Sequence, residues 1–265
     1  MESGMKLLLV GDGQSGEALR LSDPDSVSEA EFEHAVVEAF SRAYPQYACF
    51  LFGGTFVHPE CGAKRPDLAL VARDLTHWFV VEVEIASHSL EHHVLPQVRA
   101  FVYGEPQPDC VSSVANGLQL DRQRAGTLVR MIPRSVAVIT NRRDEKWSVA
   151  IRALNAQMLV VSRFSSDSGM QAVEIEGELR AVQESLGFGK FSAVDRSVRF
   201  SPSTPLPRGV IEIVDQRGTA TEWKVSSGTG ALWVTKVRGT PSLADGLVLQ
   251  LVRMRDGRLL LRASV

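Results

Sequence analysis

Hydrophobic positions recur at helical spacing in some stretches of the chain and at every second residue in others. Residues 28–43 follow the helical period. Phe32, Val36, Ala39 and Phe40 form one apolar face. Ser28 can cap the start, Glu31 three residues on completes a capping box, and Pro45 stops the helix. Before it, residues 5–10 read as a strand. The glycine-rich stretch 11–16 turns the chain into residues 17–21, so an N-terminal hairpin is expected over 5–21. These glycines make no phosphate loop, because neither Gly-Lys-Ser/Thr nor a helix follows.

Residues 49–57 read as a strand that Gly53 and Gly54 weaken. Residues 65–71 and 78–85 read as two strands with a tight connection near Asp74 and Leu75. Residues 87–103 suit a helix broken or restarted at Pro96. A loop at 104–108 and a second helix with a basic face at 118–131 follow. Residues 135–140 and 158–164 are apolar strands around a helix at 144–154, which predicts a parallel pair with a right-handed crossover. Ile175, Leu179, Val182 and Leu186 suit an amphipathic helix over 171–187 ending at Gly187.

The character then changes. Residues 189–208 are rich in loop formers, with Ser-Pro-Ser-Thr-Pro-Leu-Pro at 201–207 as a boundary. Short β-like runs follow at 210–214, 220–225, 231–237 and 247–253. The last enters a hairpin at Arg255-Asp256-Gly257-Arg258. The expected organisation is an α/β domain over 1–188, with its core at about 28–165, and a small all-β barrel or sandwich of SH3-like or OB-like size over 189–265.

Composition narrows the class. With 44% hydrophobic and 23% charged residues the chain looks like a soluble globular protein. No apolar run approaches the ~20 residues a bilayer span needs. The N-terminal stretch lacks a signal peptide's long apolar region and cleavage site. A cytoplasmic protein with no membrane partner is expected. Cys49, Cys61 and Cys110 are odd in number, and His58 with Cys61 offers two ligands where a structural zinc takes four. The net charge of −2 hides an asymmetry: residues 190–265 hold twelve Lys and Arg against six Asp and Glu, a formal +6, leaving −8 for the rest. An acidic part that holds metal beside a basic part that holds phosphate would have this distribution. A solvated β-surface that happens to be basic would too.

The informative residues lie in the strand pair expected at 65–71 and 78–85. A turn centred between Asp74 and Leu75 sets Asp67 opposite Glu82 across the hairpin, with Cβ atoms about 5 Å apart. Glu84 lies two residues beyond Glu82 and shares its face. Leu68, Leu70, Val81, Val83 and Ile85 take the other face, which would be the core. Facing like charges are destabilising unless a cation compensates, and hard oxygen ligands suit Mg²⁺ or Mn²⁺. The plainer alternative is the wet face of an edge hairpin.

Pro66-Asp67 followed by Glu82-Val83-Glu84 resembles the PD-(D/E)xK nuclease superfamily. The order of helix, acid-bearing hairpin, helix and further strand over roughly 28–165 resembles that core. The resemblance implies a restriction-endonuclease-like mixed sheet flanked by helices. It also implies Mg²⁺- or Mn²⁺-dependent hydrolysis of phosphodiesters, with DNA favoured over RNA, as in a restriction, repair or phage-defence effector. Asp67, Glu82 and the Val83 carbonyl would hold metal. Glu84 stands where the family carries lysine, as in acid-x-Glu members, and would bind metal or orient water. Arg65 has the parity to contact phosphate; Lys64 would point to the other face. Glu33 on the first helix would approach the metal as in family members, or be a surface glutamate. Gln97 matches the glutamine of a QxxxY pattern whose tyrosine position is here Phe101. The resemblance allows a homodimer or larger assembly and a partner protein at the β-domain.

His88 and His92 stand four apart, with His93 following. That spacing can bind metal, although most such clusters are solvated helix surface. No GxSxG elbow supports a serine hydrolase. Trp223 and Trp233 could stack bases or sit in a small core. Two alternatives to a working nuclease stand: a catalytically inactive nuclease-fold module that binds nucleic acid or protein, and an unrelated α/β protein whose acidic hairpin is coincidence. The last predicts that Asp67, Glu82 and Glu84 do not gather.

Overall fold

The computed structural model describes residues 5–10, 18–85, 87–180, 183–215, 219–228, 230–239, 241, 243–254 and 257–263. In chain order the elements are β1 (Met5–Val10), β2 (Arg20–Leu21), α1 (Glu29–Ala43), β3 (Tyr47–Leu51), β4 (Phe56–His58), β5 (Gly62–Lys64), β6 (Leu68–Ala72), β7 (Trp78–Glu84), α2 (Leu95–Tyr103), β8 (Glu105–Pro106), α3 (Pro108–Leu118), α4 (Arg122–Met131), β9 (Arg134–Thr140), α5 (Glu145–Ala153) and β10 (Gln157–Ser165). There follow β11 (Gln171–Glu176), β12 (Gln183–Ser192), β13 (Ser197–Phe200), β14 (Gly209–Val214), β15 (Ala220–Gly228), β16 (Ala231–Lys236), β17 (Val248–Met254) and β18 (Leu259–Ala263).

The chain is a mixed α/β structure with a closed β-barrel. An eight-stranded sheet runs β1-β11-β10-β9-β7-β6-β3, with β2 added beside β10. Its middle is parallel (β7 with β9, β9 with β10) and its flanks are antiparallel. Layers cover both faces. On one face α1 lays Phe32, Val36 and Phe40 against Leu68, Leu70, Phe79 and Val81. On the other, α2, α3, α4 and α5 bring Val98, Phe101, Val114, Leu128 and Ile151 against Ala69, Val71, Trp78 and Val80.

Local signals explain much of this. In α1, Ser28 Oγ accepts the Glu31 N–H at 3.4 Å and Glu31 Oε2 accepts the Ser28 N–H at 3.0 Å, the capping box expected from the sequence. The β6–β7 turn takes Leu75 through φ 60°, and Asp74 Oδ1 accepts the Thr76 N–H at 3.1 Å. The ladder opposes Leu68 to Val81 and Val71 to Trp78, the register expected from a turn between Asp74 and Leu75.

Several expectations are corrected. No hairpin spans 5–21: β1 pairs with β11 and β2 with β10, and the glycine stretch 11–16 lies outside the described residues. The helix expected over 171–187 is not formed. Residues 171–176 are β11, held between β1 and β10, and β12 begins at Gln183. Apolar residues four apart satisfy a helix, but two neighbouring strands offer 171–176 a ladder on both sides. Between the expected loop at 104–108 and the expected helix at 118–131 lies a further helix, α3, with Pro108 in its first turn, and the helix expected from 118 begins at Arg122.

The barrel closes in the order β12-β13-β16-β15-β14-β18-β17. It therefore begins at β12, before residue 189, and 201–207 is a connection inside it. Trp223 is buried in its core and donates to Thr221 Oγ1 at 2.9 Å. Trp233 is half-buried with the Arg199 guanidinium 5.2 Å over its ring. The turn at 255–256 lies outside the described residues. The barrel docks on the helical layer: Val214, Val252, Met254 and Leu260 join its core. Buried Gln250 donates to the Met131 carbonyl at 2.7 Å and accepts from Arg262 at 2.7 Å. No helix among the described residues is long and apolar enough to cross a membrane.

Candidate functional site

The acidic face of the β6–β7 hairpin is not wet. Every residue of β6 and β7 is buried, Glu82 to 2% exposure and Glu84 to 0%. β7 is an interior strand between β6 and β9, and α2 covers the face that carries the acids. The edge-hairpin alternative therefore fails. One step beyond the Leu68–Val81 pair, Asp67 faces Glu82 at the open end of the hairpin. Alternation turns Asp67, Glu82 and Glu84 to the α2 face.

Hydrogen bonds orient each acid. Asp67 Oδ2 accepts the Val83 N–H at 2.7 Å. Gln97, on the first turn of α2, donates to Glu82 Oε1. Glu82 Oε2 and Gln97 Oε1 are buried without a hydrogen-bond partner among the described residues. Glu84 Oε2 lies 2.6 Å from His88 Nδ1. His93 Nε2 lies 3.1 Å from Glu84 Oε1, close but without the alignment of a hydrogen bond. Next to Glu84 in the parallel ladder stands Thr140, whose buried Oγ1 also lacks a partner among the described residues.

The electrostatics follow from this crowding. Burial pushes the Asp67 carboxyl up to about 6; the Val83 N–H opposes, and Glu33 and Glu29 add repulsion. Burial raises Glu82 well above the usual carboxylate range, reinforced by Asp67, Glu84 and Glu29. Burial also raises Glu84, against the pull of His88 and His93. Such a cluster holds negative charge at neutral pH only at a cost in free energy. Two imidazoles stand against Glu84; Glu82 has only an amide. The orphaned oxygens and the excess of acid fit a hard divalent cation.

The sequence-derived residues fall into place unevenly. Asp67, Glu82, Glu84 and Gln97 gather. Glu33, half-buried on α1, acts on Asp67 through space. Arg65 is exposed and acts on Asp109 at the start of α3. Lys64 pairs with Phe56 in a small separate sheet. The basic side chains that meet Glu84 are His88 and His93. His92 is exposed and does not join them: of the two histidines at His88/His92 spacing only His88 faces Glu84, and its companion there is His93. The reason is a π-helical turn at Leu90–Val94, closed by the Val94 N–H to the Ser89 carbonyl at 3.2 Å. His58 Nδ1 is engaged by the backbone, accepting the Glu60 and Cys61 N–H groups at 3.1 and 3.2 Å.

Sequence reasoning missed Glu29 and Thr140, and named His93 only as the residue following His92. Glu29 sits one helical turn before Glu33, a spacing that could have flagged it. Thr140 has no sequence signal, because its neighbour in the ladder lies 56 residues away. No family profile, curated protein or solved structure matches this chain.

Proposed function

We propose that this chain is a metal-dependent nuclease of the PD-(D/E)xK, restriction-endonuclease-like type, hydrolysing phosphodiesters of DNA, with Glu84 in place of the motif lysine. The observation that carries the reading is the buried Glu82 carboxylate, its Oε2 without a hydrogen-bond partner among the described residues, opposite a half-buried Asp67 whose pKa is pushed up to about 6. A fold that only needed a stable hairpin would gain by replacing either acid with an apolar residue. The order of α1, acid-bearing hairpin, α2 and β9 supports the same reading.

Asp67, Glu82 and the Val83 carbonyl would hold Mg²⁺ or Mn²⁺. Bound there, the ion would supply an acidified water and polarise the scissile phosphate. The chain's own part is positioning. Gln97 fixes Glu82 through Oε1 and leaves Oε2 free to face a cation. The Val83 N–H fixes Asp67. His88 hydrogen-bonds Glu84 Oε2 and His93 stands 3.1 Å from Oε1, so Glu84 is held where it would orient a water at the lysine's place. Arg65 on the exposed side of Pro66 would contact phosphate, and the basic barrel would extend the contact along the nucleic acid. A homodimer would bring two such sites to the two strands of a duplex.

One observation favours a second reading. Glu84, at the lysine position, is engaged by two histidines, as an inactive nuclease-fold module that binds nucleic acid or protein would permit. Cleavage separates the two. Plasmid, linear duplex, single-stranded DNA and RNA are incubated with Mg²⁺ or Mn²⁺ and wild type, Asp67→Ala or Glu82→Ala. Cutting of DNA by wild type, lost by at least about 10²-fold in both variants, is the expected result. Absence of cutting on every substrate by folded wild type would transfer the assignment to the binding module.

A further inference from the structure

The contacts around Glu84 differ in kind from those around Asp67 and Glu82. Glu84 meets imidazole nitrogens, whereas the other two acids meet amides. We infer that Glu84, His88 and His93 form a site for a first-row transition-metal dication of the Zn²⁺ or Co²⁺ class, beside the oxygen-only pair and independent of it. This goes beyond the nuclease reading and does not rest on it.

Three observations carry the inference. The ligand atoms of Glu84, His88 and His93 all lie within 4.8 Å of one another. One ion at about 2.0–2.2 Å from each can bridge such a spread after small rotations. Two imidazoles and one carboxylate are the ligand set of borderline-soft metals, and three protein ligands leave positions open to water or substrate. Second, the two rings turn toward the same carboxylate, with centroids 4.9 Å apart and planes at 70°. One histidine would suffice to hydrogen-bond Glu84; the second stands close without a hydrogen bond. Third, the backbone departs from the α-helix to place it. The π-helical turn at Leu90–Val94 brings His93, five residues after His88, to the carboxylate and leaves His92 in solvent. Such turns carry a cost and concentrate at functional sites.

Burial adds selectivity. Glu84 is fully buried on the sheet side, with Thr140 Oγ1 orphaned beside it, while His93 lies at the solvent edge. An ion entering past His93 would find nitrogen ligands outside and oxygen inside. Mg²⁺ prefers all-oxygen, octahedral surroundings and would not compete well there.

The test uses the full chain, stripped of metal with a chelator and dialysed. Co²⁺ is titrated while its visible d–d absorption is recorded, and Zn²⁺ binding is measured by calorimetry. Wild type should take up one Co²⁺ or Zn²⁺ with tetrahedral or five-coordinate Co²⁺ bands that excess Mg²⁺ does not remove. His88→Gln and His93→Gln keep hydrogen-bonding side chains and should each weaken binding about 10–100-fold. Asp67→Ala should keep the Co²⁺ bands. Near-ultraviolet circular dichroism identifies the folded variants. The inference is overturned if folded wild type shows no such bands, or if the His88→Gln/His93→Gln double variant binds Co²⁺ as tightly as wild type. Failure of Mg²⁺-dependent cleavage would leave these outcomes unchanged, so the two readings fall separately.

Discussion

Asp67→Asn should make the metal-free protein more stable at neutral pH while removing cleavage. Burial is the main reason that the Asp67 carboxyl rises from its ordinary 3.8 to about 6, with Glu33 and Glu29 adding to it and the Val83 N–H opposing. The folded pKa is above the unfolded one, so the fold holds this proton more tightly. Its contribution to stability is fully present below the unfolded value and is lost as pH rises through about 6. The full difference corresponds to about 3 kcal/mol. Asparagine has no proton to lose, and its Oδ1 can still accept the Val83 N–H. The assay is urea unfolding in EDTA at about pH 4 and about pH 7.5, where the variant's advantage over wild type should grow by about 2 kcal/mol between the two. A divalent ion should remove most of that advantage, adding about 2.7 kcal/mol to wild type at a hundredfold excess over its Kd and little to the variant. A variant less stable than wild type by the same margin at both pH values would refute the reasoning, because the carboxyl would then carry no electrostatic strain.

Two further outcomes follow from the surrounding structure. Arg134 is fully buried, donating to the Phe101, Val102 and Gly104 carbonyls at the end of α2, with its guanidinium 4.6 Å from the Phe56 ring centre. Arg134→Ala leaves those carbonyls unpaired and should cost about 3–5 kcal/mol in urea unfolding; a cost under about 1 kcal/mol would deny it the capping role. Ser28→Ala removes half of the α1 capping box and should cost about 1 kcal/mol, while leaving metal binding at Glu84, His88 and His93 unchanged in the Co²⁺ titration.

The elements written in neighbouring residues were legible in advance. The α1 capping box is a contact across three positions, and the β6–β7 register follows from one turn, so Asp67 opposite Glu82 could be drawn from the sequence. The parallel β9–α5–β10 unit is likewise local: two apolar strands with a helix between them. Gln97 could be named as a candidate because it lies on the helix directly after the hairpin.

What depended on distant partners was not legible. Residues 171–176 carry apolar positions that suit a helix, yet they form β11 because β1, far back in the chain, supplies a second ladder. A sequence window cannot see that partner. The same blindness made the acid-bearing strand look half-wet: its alternation hides that α2 and the helices after it cover the polar side, which is why Glu82 and Glu84 are buried rather than solvated. That His93 and not His92 meets Glu84 came from a change in backbone winding over a single turn, which the residue spacing does not encode. The sequence by itself determined which acids share a face and which residues stand one turn away. Tertiary structure decided how deeply those acids are buried and which side chains reach them, because burial and contact are set by layers that meet only when the whole chain has folded.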